Sequence, residues 1–204
     1  HTLYHGTTMH GAEVVIPEYR KEPITYFNLA GPLGQVFTAL NREGRLEHIG
    51  VVGLGVGTIA CYRKPGQTLT FYEIDPVIEH LARDTRLFHY LEECGEDVEV
   101  VLGDGRLSLT RAPEQYYDLL ILDAFSSDAI PVHLVTREAL ALYMQKLYSN
   151  GILMFNVTNT YINLSPVLAN IVTDAGLVAR IQDYVPDRSD SKRKQEKVFG
   201  GLSS

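Results

Sequence analysis

Residues His48 to Asp75 read HIGVVGLGVGTIACYRKPGQTLTFYEID. An apolar run, Ile49 to Val52, meets three alternating glycines, Gly53, Gly55 and Gly57. A short helix-compatible segment follows, and a second apolar run, Leu69 to Tyr72, closes on Glu73. This order predicts a strand, a tight glycine loop, a helix and a parallel strand ended by a carboxylate, a unit that binds nucleotide-like ligands across the carboxyl ends of its strands. Glycines in the loop let the backbone approach a ligand with no Cβ in the way. Glu73 lies 20 residues beyond Gly53, where a carboxylate can accept both hydroxyls of a ribose. The competing reading of the loop alone is an ordinary strand-to-helix turn in an α/β core.

Outward from this unit, the pattern alternates β and α, which predicts a mostly parallel sheet covered on both faces. Asp75-Pro76 starts a helix with an N-cap and a first-turn proline, and Val77, Ile78 and Leu81 follow at helical spacing. Val98 to Leu102 is a third strand running into Gly103-Asp104-Gly105, and Tyr117 to Leu122 a fourth, ending at Asp123. Thr136 to Tyr148 is a helix with Leu140, Tyr143, Met144 and Leu147 on one face. Asn150-Gly151 turns into a fifth strand, Ile152 to Val157, and Ser165-Pro166 caps a helix with Val167, Leu168, Ile171 and Val172 inward. Leu177 to Val185 is expected as a sixth strand, and Asp187 to Lys197 as a solvated, charged loop.

Upstream, residues 1–47 form a separate unit: a hairpin remnant with turn signals at His5-Gly6-Thr7-Thr8 and His10-Gly11, then a lead-in helix between Glu22-Pro23 and Leu40. Residues 48–204 are expected to form the nucleoside-binding catalytic unit, with a further strand expected where the sequence stops. The opening inside a strand and the close at Gly200-Gly201 point to a piece of a longer protein.

The chain has 204 residues, enough for one domain with a real core, and is 45% hydrophobic and 21% charged. Eighteen basic and 25 acidic residues give a net charge of −7, which argues against a nucleic-acid footprint and permits a cationic substrate. Cys61 and Cys94 read as isolated reduced thiols, hence a cytoplasmic setting. No apolar run reaches the ~20 residues needed to cross a bilayer. An HExxH motif, a CxxC pair and GxSxG are all absent from the sequence, so metal-site and hydrolase signatures do not compete and no metal is expected.

Four successive strand ends carry something polar or permissive: the glycine loop, Glu73 with Ile74 beside it, Asp104 with Gly105, and Asp123. In an open parallel sheet these ends line one crevice, so three carboxylates converge on one ligand. A single Asp there is often only a helix cap, so the set matters more than any member. A nicotinamide dinucleotide would want G-x-G-x-x-G, and the third glycine comes one position early, at Gly57. An Asp after the third strand suits an adenine amino group, an N–H donor. Adenosine without a pyrophosphate points to S-adenosylmethionine or a relative. Asp123 to Pro131 then places two carboxylates, Asp123 and Asp128, around a loop containing Ser126, a loop suited to hold an amine that must lose a proton before it attacks.

These residues resemble the spermidine/spermine synthase (polyamine aminopropyltransferase) family over nearly all of residues 1–185. Tyr4-His5-Gly6-Thr7-Thr8-Met9-His10-Gly11, Phe71-Tyr72-Glu73-Ile74-Asp75, Gly103-Asp104-Gly105 and Tyr117-Asp118 through Pro131 carry the resemblance. Its nearest likeness is to bacterial spermidine-synthase-like proteins often fused to a membrane transporter-like half. The resemblance implies a Rossmann-like, S-adenosylmethionine-dependent methyltransferase-type sheet behind a small β segment, usually dimeric. It implies transfer of an aminopropyl group from decarboxylated S-adenosylmethionine to a polyamine such as putrescine. By position, Glu73 would hold the ribose, Asp104 the adenine, Asp123 the amine proton and Asp128 the amine; Tyr26 sits near the family's aromatic gate. The family's first loop, Gly-Gly-Gly-Asp-Gly-Gly, reads Gly53-Leu54-Gly55-Val56-Gly57-Thr58 here, so the Asp that grips the cofactor's amino group is Val56. The loop from Asp123 is also longer than the family's Asp-Ser-Ser-Asp-Pro. Two alternatives stand beside aminopropyl transfer: an S-adenosylmethionine-dependent methyltransferase, and a non-catalytic domain sensing polyamine or nucleoside for an attached membrane protein.

Overall fold

The apolar runs become neighbours in one sheet. In the computed structural model, which describes residues 1–5, 8–125, 131–157 and 163–184, five parallel strands lie in the order β5-β4-β3-β6-β7. They are β3 (His48–Val52), β4 (Thr68–Glu73), β5 (Glu99–Leu102), β6 (Tyr117–Leu122) and β7 (Leu147–Phe155). The chain starts in the middle, winds one way to β5, and returns across β3 to build β6 and β7. The order therefore reverses between β3 and β6, where doubly wound sheets open a crevice at the carboxyl ends of the strands.

Why the strands read as unbroken apolar runs is visible in the burial. Ile49, Val51, Leu69, Phe71, Leu119 and Ile121 face one core with Phe37, Leu40, Ile59 and Tyr62. Val52, Tyr72, Leu120 and Leu122 face the other with Leu109, Ala139 and Tyr143. Both faces are dry, so alternation is lost. Each fully buried Leu, Ile or Phe contributes about 1.5–3 kcal/mol, which outweighs anything local propensity can add. The polar exception in β6, Asp118, accepts the backbone N–H groups of Glu47 and His48 at 2.8 and 2.9 Å and so ties the entry of β3 to its neighbour.

Helices cover both faces: α1 (Pro32–Arg42) on the first, and α4 (Gly105–Arg111) and α5 (Arg137–Lys146) on the second, with α6 (Ser165–Asp174) flanking α5. α2 (Pro76–Arg83) and α3 (Tyr90–Cys94) lie between β4 and β5. Asp75 caps α2 as expected, accepting from Val77 N at 2.8 Å. The segment after the glycine loop is a single 3-10 run, Thr58–Tyr62; the Lys64-Pro65 step downstream leaves no room for a full α-helix. A hairpin, β1 (Thr2–His5) and β2 (Thr8–Ala12), precedes the sheet.

Four expectations need correction. Cys61 and Cys94 form a disulfide that ties the 3-10 run to the end of α3, their Cα atoms 4.9 Å apart. Neither is a reduced thiol, and the argument for a reducing compartment goes with them. Closing a loop of 33 residues adds about 3–4 kcal/mol in the chain-entropy account. Second, residues 177–184 form no strand: Val178 is 92% exposed and Ile181 63%, and the segment pairs with neither edge of the sheet. Alternation in sequence cannot by itself supply a partner edge. Third, β7 starts directly at Leu147, and its pairing with β6 jumps from Tyr117↔Leu147 to Leu119↔Ile152, so Asn150-Gly151 is an irregularity inside the strand. Fourth, Val167 and Met144 are exposed and not part of the core. The charged run Asp187 to Lys197 lies outside the described residues. Among the described residues no helix is long and apolar enough to cross a membrane.

Candidate functional site

The site is one row of the sheet. Val52 pairs with both Tyr72 and Leu122, and Leu122 pairs with Phe155. One residue further along each strand, Gly53, Glu73, Asp123 and Asn156 therefore stand side by side. Ladder bonds carry this register past the strand ends: Gly53 N donates to Tyr72 O (2.9 Å), Asp123 N to Val52 O (2.8 Å) and Asn156 N to Leu122 O (2.9 Å). Asp104 follows β5 at the far end of the row.

Gly53 has φ +103°, and a Cβ there would lie 2.5 Å from the carbonyl oxygen of Asp123. Gly55, at φ +56°, would bring a Cβ to 2.6 Å from the carbonyl oxygen of His10. The close approaches that these glycines serve are thus to the protein's own backbone, at the neighbouring strand end and at the hairpin folded over the loop. Gly57 and Gly105 likewise sit against Leu91 and Val52. Val56 is buried in an apolar cluster with Phe88 and Tyr90, directly under Gly11.

Glu73 is buried, and both its oxygens accept backbone N–H groups: Oε2 from Leu54 in the glycine loop and Oε1 from Asp75 in the turn to α2, each at 2.9 Å. Each oxygen retains a second lone pair. Ile74, just beyond it, and Leu107, in the first turn of α4, are both exposed and apolar, at 67% and 63%. Asp104 caps α4, accepting from Leu107 N through Oδ1 at 2.8 Å, while its Oδ2 meets His133 Nε2 at 2.9 Å. Arg106 holds that histidine's carbonyl at 2.8 Å.

Asp123 differs. Its carboxyl accepts the side-chain amide of Asn156, Nδ2 to Oδ1 at 2.6 Å, and burial pushes its pKa up to about 7, the amide pulling the other way. Tyr26, tilted against Phe27 with ring centroids 4.1 Å apart, has its phenol pushed far up, first by burial and then by the negative charge of Asp123. The expected aromatic gate and the expected proton acceptor therefore share one end of the crevice. Ser126 and Asp128 lie outside the described residues. Among the described residues no group of three or more His, Cys, Asp or Glu is arranged to hold a metal ion.

Sequence reasoning passes over His133 and Asn156. For His133, 29 residues from Asp104, no local signal exists. Asn156 was hidden by a boundary: the expected fifth strand runs through it to Val157, whereas β7 ends at Phe155 and leaves Asn156 as the residue after the strand.

Sheet order, switch point and helices on both faces define the class, a Rossmann-like α/β fold of the S-adenosylmethionine-dependent methyltransferase type. Comparison with known proteins narrows it. No family model matches the chain. A polyamine aminopropyltransferase of Vibrio vulnificus (strain CMCP6) is 36% identical over 119 residues, 56% of this chain and 38% of the relative. A probable polyamine aminopropyl transferase of Bifidobacterium longum (strain NCC 2705) is 29% identical over 110 residues, 52% of this chain and 23% of the relative. The chain thus spans well under half the length of the curated relatives it matches. Among solved structures, a probable spermidine synthase of Corynebacterium glutamicum matches with TM-score 0.57 at 14% identity, over 75% of this chain and 62% of that one. A spermidine synthase in complex with the transition state analogue AdoDATO matches with TM-score 0.53 at 14% identity, over 64% and 46%. A putative O-methyltransferase of Klebsiella pneumoniae matches with TM-score 0.51 at 16% identity, over 72% and 69%; at these identities the structures speak to the fold. Over the matched stretches the chain is thus similar to polyamine aminopropyltransferases, and it shares its fold with spermidine synthases.

Proposed function

We propose that this chain is an aminopropyltransferase that moves an aminopropyl group from decarboxylated S-adenosylmethionine to a polyamine such as putrescine. The observation that carries the reading is Asp123: a carboxyl held at about pH 7 by burial, one strand from the glycine loop and facing Tyr26. The residues present fit the nucleoside end of an S-adenosyl group. Glu73 keeps lone pairs for two ribose hydroxyls, and Ile74 and Leu107 offer apolar surface to a flat base.

An acceptor ammonium has a pKa near 10 and no lone pair, so it must be deprotonated before attack. An ordinary carboxylate is about six units short of that, roughly 8 kcal/mol; at about 7 the gap falls to about three units, roughly 4 kcal/mol. Asp123 takes the proton. The freed nitrogen forms its C–N bond at the carbon beside the sulfonium as the C–S bond breaks, and methylthioadenosine leaves. Tyr26 walls the acceptor end, and the net charge of −7 favours a polycation.

One observation favours a second reading. Val56, at the position where the family's loop carries an Asp for the cofactor's amino group, is buried among Phe88 and Tyr90 and offers no carboxylate. Methyl transfer from ordinary S-adenosylmethionine needs no such group. The test is to supply decarboxylated S-adenosylmethionine or S-adenosylmethionine with putrescine and to identify the nucleoside released. Methylthioadenosine from the first supports aminopropyl transfer, whereas S-adenosylhomocysteine from the second means methyl transfer. Nucleoside binding without either product leaves a sensing domain.

A further inference from the structure

We propose that Asn156 is a positioning residue for the transfer step: its amide fixes the Asp123 carboxylate in one orientation, occupying Oδ1 and leaving Oδ2 to the acceptor amine. The inference rests on the aminopropyl-transfer reading and adds to it the residue that sets how the proton acceptor stands.

The contact is built by the sheet. β6 and β7 pair in register up to Leu122↔Phe155, and the next residues are locked through Asp123 N to Val52 O and Asn156 N to Leu122 O. Both Cα positions are therefore set by backbone bonds, and the 2.6 Å distance from Nδ2 to Oδ1 follows from two short side chains standing side by side. Those two side chains have few rotatable bonds, so holding the pair costs little entropy.

The chemical type of the partner matters as much as its place. An arginine or lysine here would stabilise the anion strongly and ruin it as a proton acceptor. With no donor at all, burial would leave the carboxyl protonated at neutral pH. A neutral amide donor sits between these limits. The groups facing Asp123 agree: β7 contributes the uncharged Asn156, the end of β3 contributes the backbone of Gly53, and the N-terminal segment contributes Tyr26, whose phenol stays neutral.

The test follows Asp123 directly, by NMR of protein labelled with 13C at aspartate carboxyls and assigned with Asp123→Asn. Asn156→Leu, nearly isosteric and without a donor, should move the Asp123 titration up by about one unit or more. The acidic limb of the kcat/KM profile should move with it, and Asn156→Gln should recover part of the shift. Methylthioadenosine affinity should stay within about twofold. Should Asn156→Leu not fold, Asn156→Ser reads the same titration. An Asp123 midpoint that stays in place in a folded variant overturns the inference, even if the wild type transfers aminopropyl groups. A midpoint that moves upholds it as a statement about Asp123, even where the wild type releases no methylthioadenosine and the transfer reading itself falls.

Discussion

Glu73 and Asp123 stand in the same row of the same sheet, one on each side of Gly53, and the protein treats them in opposite ways. Glu73 receives a backbone N–H on each oxygen, from the two turns it bridges. Asp123 receives one side-chain amide, and desolvation at the end of β6 lifts it to about 7. A carboxylate pinned by fixed dipoles is a holder, committed to accepting hydrogen bonds. A partly desolvated carboxylate with one neutral donor can take and release a proton. On the proposed reading, two acids separated by two strand spacings, roughly 10 Å, serve the two ends of a bisubstrate reaction, ribose at one and amine at the other.

The sharpest break in that contrast is Asp123→Asn. It keeps size and the partner Asn156 but removes proton acceptance, so transfer should fall by at least about 10³-fold while methylthioadenosine affinity, measured calorimetrically, holds within about twofold. Surviving turnover would sink the assignment. The same variant reads the electrostatics through stability. The folded pKa is raised above the ordinary 3.8, so between about pH 4 and 7 the folded state keeps a proton that the unfolded chain has already released. Wild-type stability therefore falls as pH rises through that window, and the penalty is complete above 7. Asp123→Asn should be more stable than wild type at pH 8 by on the order of 2–4 kcal/mol, and close to it at pH 4. Asp84 and Glu138, both lowered, slope the other way but are common to the two proteins and cancel.

Glu73→Gln tests the other side. One oxygen becomes an NH₂ facing a backbone N–H of Leu54 or Asp75, so an attraction turns into a clash of donors. Methylthioadenosine affinity should weaken about 10- to 100-fold, and the fold should lose about 1–3 kcal/mol in denaturant unfolding. Unchanged affinity would remove Glu73 from the ribose.

How far this contrast is legible in sequence depends on what each part is made of. β6 has the same bounds, Tyr117 to Leu122, in sequence and structure, because a strand buried on both faces writes itself as one apolar run. Glu73, Asp104 and Asp123 are legible because strand ends in a parallel sheet share an address. Their differing electrostatics are not, since these come from Asn156, His133 and two backbone amides brought in by register. The Cys61–Cys94 bond and the unpaired stretch 177–184 are equally invisible: both depend on which surfaces end up adjacent.

Asp104 gives the smallest effect and the finest test. Its Oδ1 accepts the cap N–H of α4 and its Oδ2 meets His133, so each oxygen keeps one lone pair for an adenine amino group, and the imidazole crowds the Oδ2 side. The pair is partly exposed, and exposed pairs contribute about 0–1 kcal/mol. A base that approaches Oδ2 competes with the imidazole for space and for that oxygen's charge, so His133→Ala should tighten methylthioadenosine binding by about two- to fivefold. It should leave the binding of a nucleoside analogue lacking the amino group unchanged. Weaker binding in His133→Ala would mean that the imidazole itself meets the base and that Asp104 only holds it, which would move the base-reading atom from the strand end to the turn Val132–Val135.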